Sequence, residues 1–149
     1  MISFDTNILF PSLEPTHVNH EATKRFLMGF KKERVAVCEL VLMEVYQLVR
    51  NPSVCRSPLN AVEGLALIQR LRAHPQWSLI DYPGNLMGEI WSISGEPHFP
   101  RRRLFDVRLA LTLRHHGVKS FATMNTKDFQ DMGFEKVWNP LEGDALQAG

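Results

Sequence analysis

M-I-S-F-D-T-N-I-L-F, Met1 to Phe10, is the stretch whose reading decides the fold. Ile2 and Phe4 sit among β-favouring neighbours, the run breaks at Asp5-Thr6-Asn7, and apolar Ile8-Leu9-Phe10 follows before Pro11. The pattern predicts a short buried strand ending in a carboxylate. In an open α/β sheet, ligands bind in the crevice beyond the carboxyl ends of the strands, so an acid there is placed for chemistry. Asp, Thr and Asn are equally good helix N-caps, and this stretch alone does not choose between cap and site.

The chain has 149 residues, enough for one domain with its own core. Residues 1–140 are expected to form that domain and 141–149 a poorly ordered tail. With 17 Lys and Arg against 16 Asp and Glu the net charge is +1, so any nucleic-acid contact must be local. Cys38 and Cys55 make neither a C-x-x-C pair nor a zinc pattern and read as reduced thiols. No run of eighteen apolar residues occurs, and Met1 leads straight into the first strand without a basic leader. A soluble, cytoplasmic chain without a membrane segment is expected.

Outward from the first strand, Pro15–Phe30 carries a helical pattern that Thr16 can cap, and Val35-Ala36-Val37 reads as a second buried strand. A crossover helix between two strands implies parallel pairing. Glu39–Arg50 is an apolar helix stopped by Asn51-Pro52. Within it Glu44 has Leu40, Val41 and Leu48 at helical spacing, on the face expected to be buried, where an ionised carboxylate needs a partner, a proton or a metal. Ser57–His74 is a helix burying Ala61, Leu65, Leu67, Ile68 and Leu71, Trp77–Tyr82 a third strand, and Gly84–Ile93 a short helix. Ser94–Arg103, with two prolines and a glycine, is expected to be irregular. Its triplet Arg101-Arg102-Arg103 is the densest positive patch and suits either solvent or phosphate.

Leu104–Gly117 is a helix with Asp106 in its first turn and Leu109, Ala110 and Leu113 on the same stripe. Asp106 is therefore either a helix-dipole acid or an inward carboxylate. Ser120–Thr123 is a fourth strand followed by Asn125 and Asp128, as Asp5 follows the first, and Glu135–Trp138 is a fifth. Asp5, Glu44, Asp106 and Asp128 are thus far apart in sequence and compatible with one crevice.

F-D-T-N-I-L, L-V-L-M-E-V-Y-Q-L, F-D-V-R-L-A-L-T-L and A-T-M-N-T-K-D-F occur in that order along essentially the whole chain. This series resembles the PIN-domain family, in particular the VapC-type ribonuclease toxins of toxin–antitoxin pairs. The resemblance implies a three-layer α/β/α sandwich with a parallel sheet of about five strands, a homodimer, an antitoxin partner, and a Mg²⁺- or Mn²⁺-dependent endoribonuclease acting on RNA. Carried over, Asp5 and Asp106 match the family's metal-binding aspartates, Glu44 its acid on the second helix, Asn125 and Asp128 the polar pair after the fourth strand, and Asn7 the small polar residue that shapes the site. Many members have Asp where this chain has Asn125, which would weaken a second ion. Carboxylate-rich oxygen sites suit Mg²⁺ and Mn²⁺ rather than zinc, and the loop arginines would hold the RNA backbone. Two other readings stand beside this one: a PIN-like scaffold that binds RNA or protein without cutting, and a zinc protein built on His17 and His20, which lacks further ligands nearby. A haloacid-dehalogenase phosphatase is disfavoured because Asn7 stands where its second Asp is needed.

Overall fold

The structure is a computed structural model and describes residues 1–142. At its centre lies β1 (Ile2–Phe4), three buried residues that pair in parallel with β2 (Val35–Cys38) on one side and β4 (Ser120–Ala122) on the other. β3 (Trp77–Ile80) and β5 (Lys136–Trp138) flank them, giving an all-parallel sheet of order β3-β2-β1-β4-β5. Burial on both faces explains why β2 reads as a continuous apolar run rather than as an alternating one. Ser3, the polar exception in β1, donates its hydroxyl to the Ala36 carbonyl at 2.6 Å and so is buried without loss.

The connections are α1 (Thr6–Leu13) and α2 (His20–Met28) between β1 and β2, α3 (Glu39–Val49) and α4 (Ala61–Arg72) between β2 and β3, and α5 (Met87–Ser94) and α6 (Leu104–His115) between β3 and β4. Parallel crossovers are right-handed, so α1 to α4 cover one face and the returning pair α5 and α6 the other. Packing agrees: α1 contacts α2 and α3, α3 contacts α4, and α5 contacts α6. The expected three-layer sandwich with five parallel strands is present. Its main core joins Phe4, Ile8, Leu42, Val45, Leu113 and Phe121; Leu86, Ile90 and Val107 form a second cluster under α5.

Several elements differ from the sequence reading, each for a local reason. Ile8-Leu9-Phe10 belong to α1, which the sequence reading leaves unassigned because Pro11 follows; the helix runs through Pro11 and buries all four residues. The helix expected from Pro15 begins only at His20 after Asn19, because the Thr16 hydroxyl is spent on Glu14 Oε1 at 2.6 Å. The helix expected from Ser57 begins at Ala61, where Asn60 and Glu63 close a reciprocal capping box. Along it Leu65 is 55 % exposed, and the buried position is Gly64, where a Cβ would stand 3.1 Å from the Tyr46 ring of α3. Ser94–Arg103 is not wholly irregular: Ser94 closes α5, and Arg101–Arg103 wind into a 3₁₀ turn that leads into α6. At the far end residues 140–142 start a helical turn, and the rest of the expected tail lies outside the described residues.

Candidate active site

Strand order reverses at β1: the chain moves from β1 to β2 and β3 on one side, then returns to β4 on the other. Splayed loops at such a point open a crevice, and here it is a cleft of about 380 Å³ lined by Asp5, Asn7, His17, Glu44, Asp106 and Asn125 among others.

Asp5 both caps α1 and lines the cleft. Its Oδ1 accepts the Thr6 N–H of α1 at 2.8 Å, and its Oδ2 accepts the Thr123 hydroxyl at 2.8 Å. Thr123 follows β4 as Asp5 follows β1, so the register Phe4↔Ala122 sets this bond between residues 118 apart in sequence. The same Thr123 oxygen accepts the Asn125 N–H at 3.0 Å and the Asn7 amide at 3.3 Å, while Asn7 Oδ1 accepts the Met124 N–H at 3.1 Å. Asn7 therefore stitches the β1 and β4 loops together and fixes the floor of the cleft. On α3, Glu44 Oε2 accepts the Thr6 hydroxyl at 2.5 Å, the partner that its position on a mostly apolar face requires.

Burial pushes the Asp5 carboxyl up to about 6, with the charges of Glu44 and Asp106 adding to the rise against the stabilising bonds from Thr123 and Thr6. Asp106 in the first turn of α6 is likewise raised to about 6, by burial first and then by Asp128 and Glu44, with Arg103 opposing. Asp5 thus feels Glu44 and Asp106, and Asp106 feels Glu44 and Asp128, in the direction that like charges in one crevice impose. Asp128 is exposed in a 3₁₀ turn beside the cleft, and reaches it through its charge on Asp106 rather than by lining it.

The three arginines part company. Arg101 and Arg102 are exposed, whereas Arg103 turns inward and donates through Nη2 to the Asp128 carbonyl at 3.1 Å and to Asp131 Oδ1 at 3.2 Å. Arg103 thus holds the loop that carries Asp128. Of the two histidines behind the zinc reading, His20 Nδ1 meets the Pro11 carbonyl at 2.8 Å and His17 Nδ1 accepts the Asn19 N–H at 3.0 Å.

The donors facing the cleft are carboxylates, amides and hydroxyls, which fit a hard divalent cation. Among the described residues no three His, Cys, Asp or Glu side chains converge into a ready cage. Thr6 and Thr123, which present hydroxyls to Glu44 and Asp5, are missing from the sequence reading. The repeated pattern of Thr beside a strand end, D-T-N and A-T-M-N, is the signal that marks them.

The PIN domain model matches residues 2–135. Ribonuclease VapC24 of Mycobacterium tuberculosis, from strains H37Rv and CDC 1551, is 47 % identical over 145 residues, 97 % of this chain and 99 % of the relative. The chain is a PIN-domain protein of the VapC type. Its fold is shared with FitAcB from Neisseria gonorrhoeae, at a TM-score of 0.62 and 23 % identity over 95 % of this chain and 99 % of that one. It is also shared with VapC20 of Mycobacterium tuberculosis, a sarcin-ricin loop cleaving toxin, at 0.63 and 16 % identity over 81 % and 87 %. In this PIN domain the four acids come from the end of β1, from α3, from α6 and from the turn after β4, which are the positions of the four sequence motifs.

Proposed function

We propose that this PIN domain is a metal-dependent endoribonuclease that hydrolyses RNA phosphodiester bonds, and that Asp5 and Asp106 bind its Mg²⁺, with Mn²⁺ able to replace it. The observation that carries the reading is the gathering of Asp5, Glu44 and Asp106 around one cleft at the switch point of the sheet, where burial first and neighbouring acids second raise Asp5 and Asp106. Carboxylates that repel in the free protein are relieved by a divalent cation, and such an ion supplies a polarised phosphate and an activated water. The chain's own residues do the positioning. Thr123 and the Thr6 N–H fix the rotamer of Asp5, and the Thr6 hydroxyl aims Glu44, which is suited to orient the attacking water and take its proton. Arg103 holds the Asp128 turn against Asp106, and Asn7 and Asn125 keep the β4 loop at the cleft's edge. Arg101 and Arg102, both exposed, contact the RNA backbone.

The same charges define the partner: a small cytoplasmic antitoxin that places a basic side chain among the acids, with the toxin itself a homodimer. FitAB bound to the IR36 DNA fragment shares the fold, at a TM-score of 0.63 and 19 % identity over 94 % of this chain and 95 % of that one. The test is cleavage of a structured RNA pool by antitoxin-free protein with Mg²⁺, Mn²⁺ or EDTA, beside Asp5→Asn. Metal-dependent cutting lost in the variant is expected; a folded protein that binds neither metal would replace the enzyme with a binding scaffold.

A further inference from the structure

Behind the acidic cleft, between α5, α6 and the loop at 131–133, lies a second pocket of about 350 Å³, a size at the small end of ligand sites. Two guanidinium groups line it. Arg103 has a buried Nε with no hydrogen-bond partner among the described residues, and Arg114 has no ion-pair partner among them. Gly133 secures the second: its φ is +90°, and a Cβ there would stand 2.5 Å from the Arg114 Cζ, so a side chain would push the guanidinium away. Glu89, Glu96 and Asp131 supply carboxylates to the same pocket, Asp131 being paired with Arg103 at 3.2 Å, and Phe99 and Met132 supply apolar surface.

This combination excludes simple ions. Three carboxylates, only Asp131 of them paired with a pocket arginine, disfavour a phosphate, and two guanidinium groups disfavour a cation. What satisfies both is a flat, neutral ring with acceptors on one edge and donors on the other. Guanine presents O6 and N7 to an arginine in the commonest base-specific contact, and its N1–H and N2–H₂ donors suit a carboxylate. The pocket also adjoins the site: Arg103, at the end of the 3₁₀ turn before α6, lines it and holds the Asp128 carbonyl at 3.1 Å, and Val107, which also lines it, follows Asp106 in α6.

We propose that this pocket receives an unstacked guanine of the RNA substrate beside the scissile bond and sets the base preference of cleavage. Sequence-specific RNA readers commonly take such splayed bases into pockets of this kind. The proposal rests on the ribonuclease reading, and its first test is independent of cutting. Asp5→Asn protein in EDTA is titrated with the 5′-monophosphates of guanosine, adenosine, cytidine and uridine, which share the phosphate and differ only in base. Guanosine monophosphate is expected to bind at least about 10-fold tighter than the cytidine nucleotide, with that margin lost in Arg114→Met and reduced in Glu96→Gln. Arg114 is exposed, so its replacement leaves the fold intact. Equal binding of all four nucleotides, displacement by inorganic phosphate alone, or an unchanged guanine margin in Arg114→Met overturns the proposal. With Asp5 restored and Mg²⁺ present, the ratio of cutting at guanine-flanked over other bonds is expected to fall in Arg114→Met. A protein that keeps the guanine margin but never cuts RNA would defeat the nuclease reading and leave the pocket standing.

Discussion

Asp5→Asn in metal-free protein isolates what the acidic cleft costs the fold. The carboxyl is displaced from its ordinary 3.8 to about 6, and at 1.36 kcal/mol per pH unit of displacement this is about 3 kcal/mol. Its sign follows from proton binding. Between 3.8 and about 6 the folded state holds a proton that the unfolded state has released, so stability falls as pH rises through this window. Above it the full cost applies, and below it none does. Asn carries no charge, so the variant escapes the cost while keeping an oxygen for the Thr6 N–H. It cannot also accept the Thr123 hydroxyl at its amide nitrogen, a loss of about 1 kcal/mol. At pH 7.5 in EDTA, Asp5→Asn is therefore expected to be about 2 kcal/mol more stable than the parent, a rise of roughly 4–8 °C in Tm for a domain of this size. Urea unfolding at pH 4 and pH 7.5 reads it directly, since the advantage should vanish at the lower pH. A variant less stable than the parent by the same amount at both values would show that Asp5 serves as a cap alone and that no electrostatic strain is stored.

Three further outcomes follow from the same contacts. Asp106→Asn should abolish both RNA cutting and the rise in Tm that Mg²⁺ gives the parent, yet leave metal-free stability equal or higher; loss of cooperative unfolding in EDTA would make Asp106 a structural acid of α6 instead. Arg101→Ala with Arg102→Ala should weaken RNA binding about equally across sequences and lower the salt slope by roughly 1 to 2, read by titration of uncleaved RNA from 50 to 200 mM salt. Gly133→Ala should cost roughly 1–3 kcal/mol in thermal unfolding, because it strains a positive φ and displaces Arg114 together.

What the sequence revealed depended on how locally each feature is determined. β1, β2, α3 and α6 announce themselves through β-favouring residues, an apolar run or a sustained helical stripe, and three of the acids could be placed because Asp5 ends the first strand while Glu44 and Asp106 interrupt such stripes. Helix starts were less legible, since Thr16 and Asn19 are both residue types that cap helices, and the Thr16 hydroxyl turns back to Glu14, two residues before it, instead of capping. α1 was hidden by Pro11, whose missing N–H breaks the rule that periodicity follows, although burial of Ile8, Leu9 and Phe10 carries the helix through it. The bond from Thr123 to Asp5 could not be read at all, because it exists only through the register of β4 on β1. Nor could Arg103 be told from Arg101 and Arg102, because adjacent residues of one tight turn face different surroundings.

The pairing of the first strand with the fourth also has a temporal meaning. During synthesis Asp5 emerges first, but β4, which supplies the Thr123 hydroxyl and the turn bearing Asp128, is translated only after residue 119. A nascent or prematurely ended chain therefore carries its leading acid without the other half of the site. Any chain that carries the assembled site must be almost completely made.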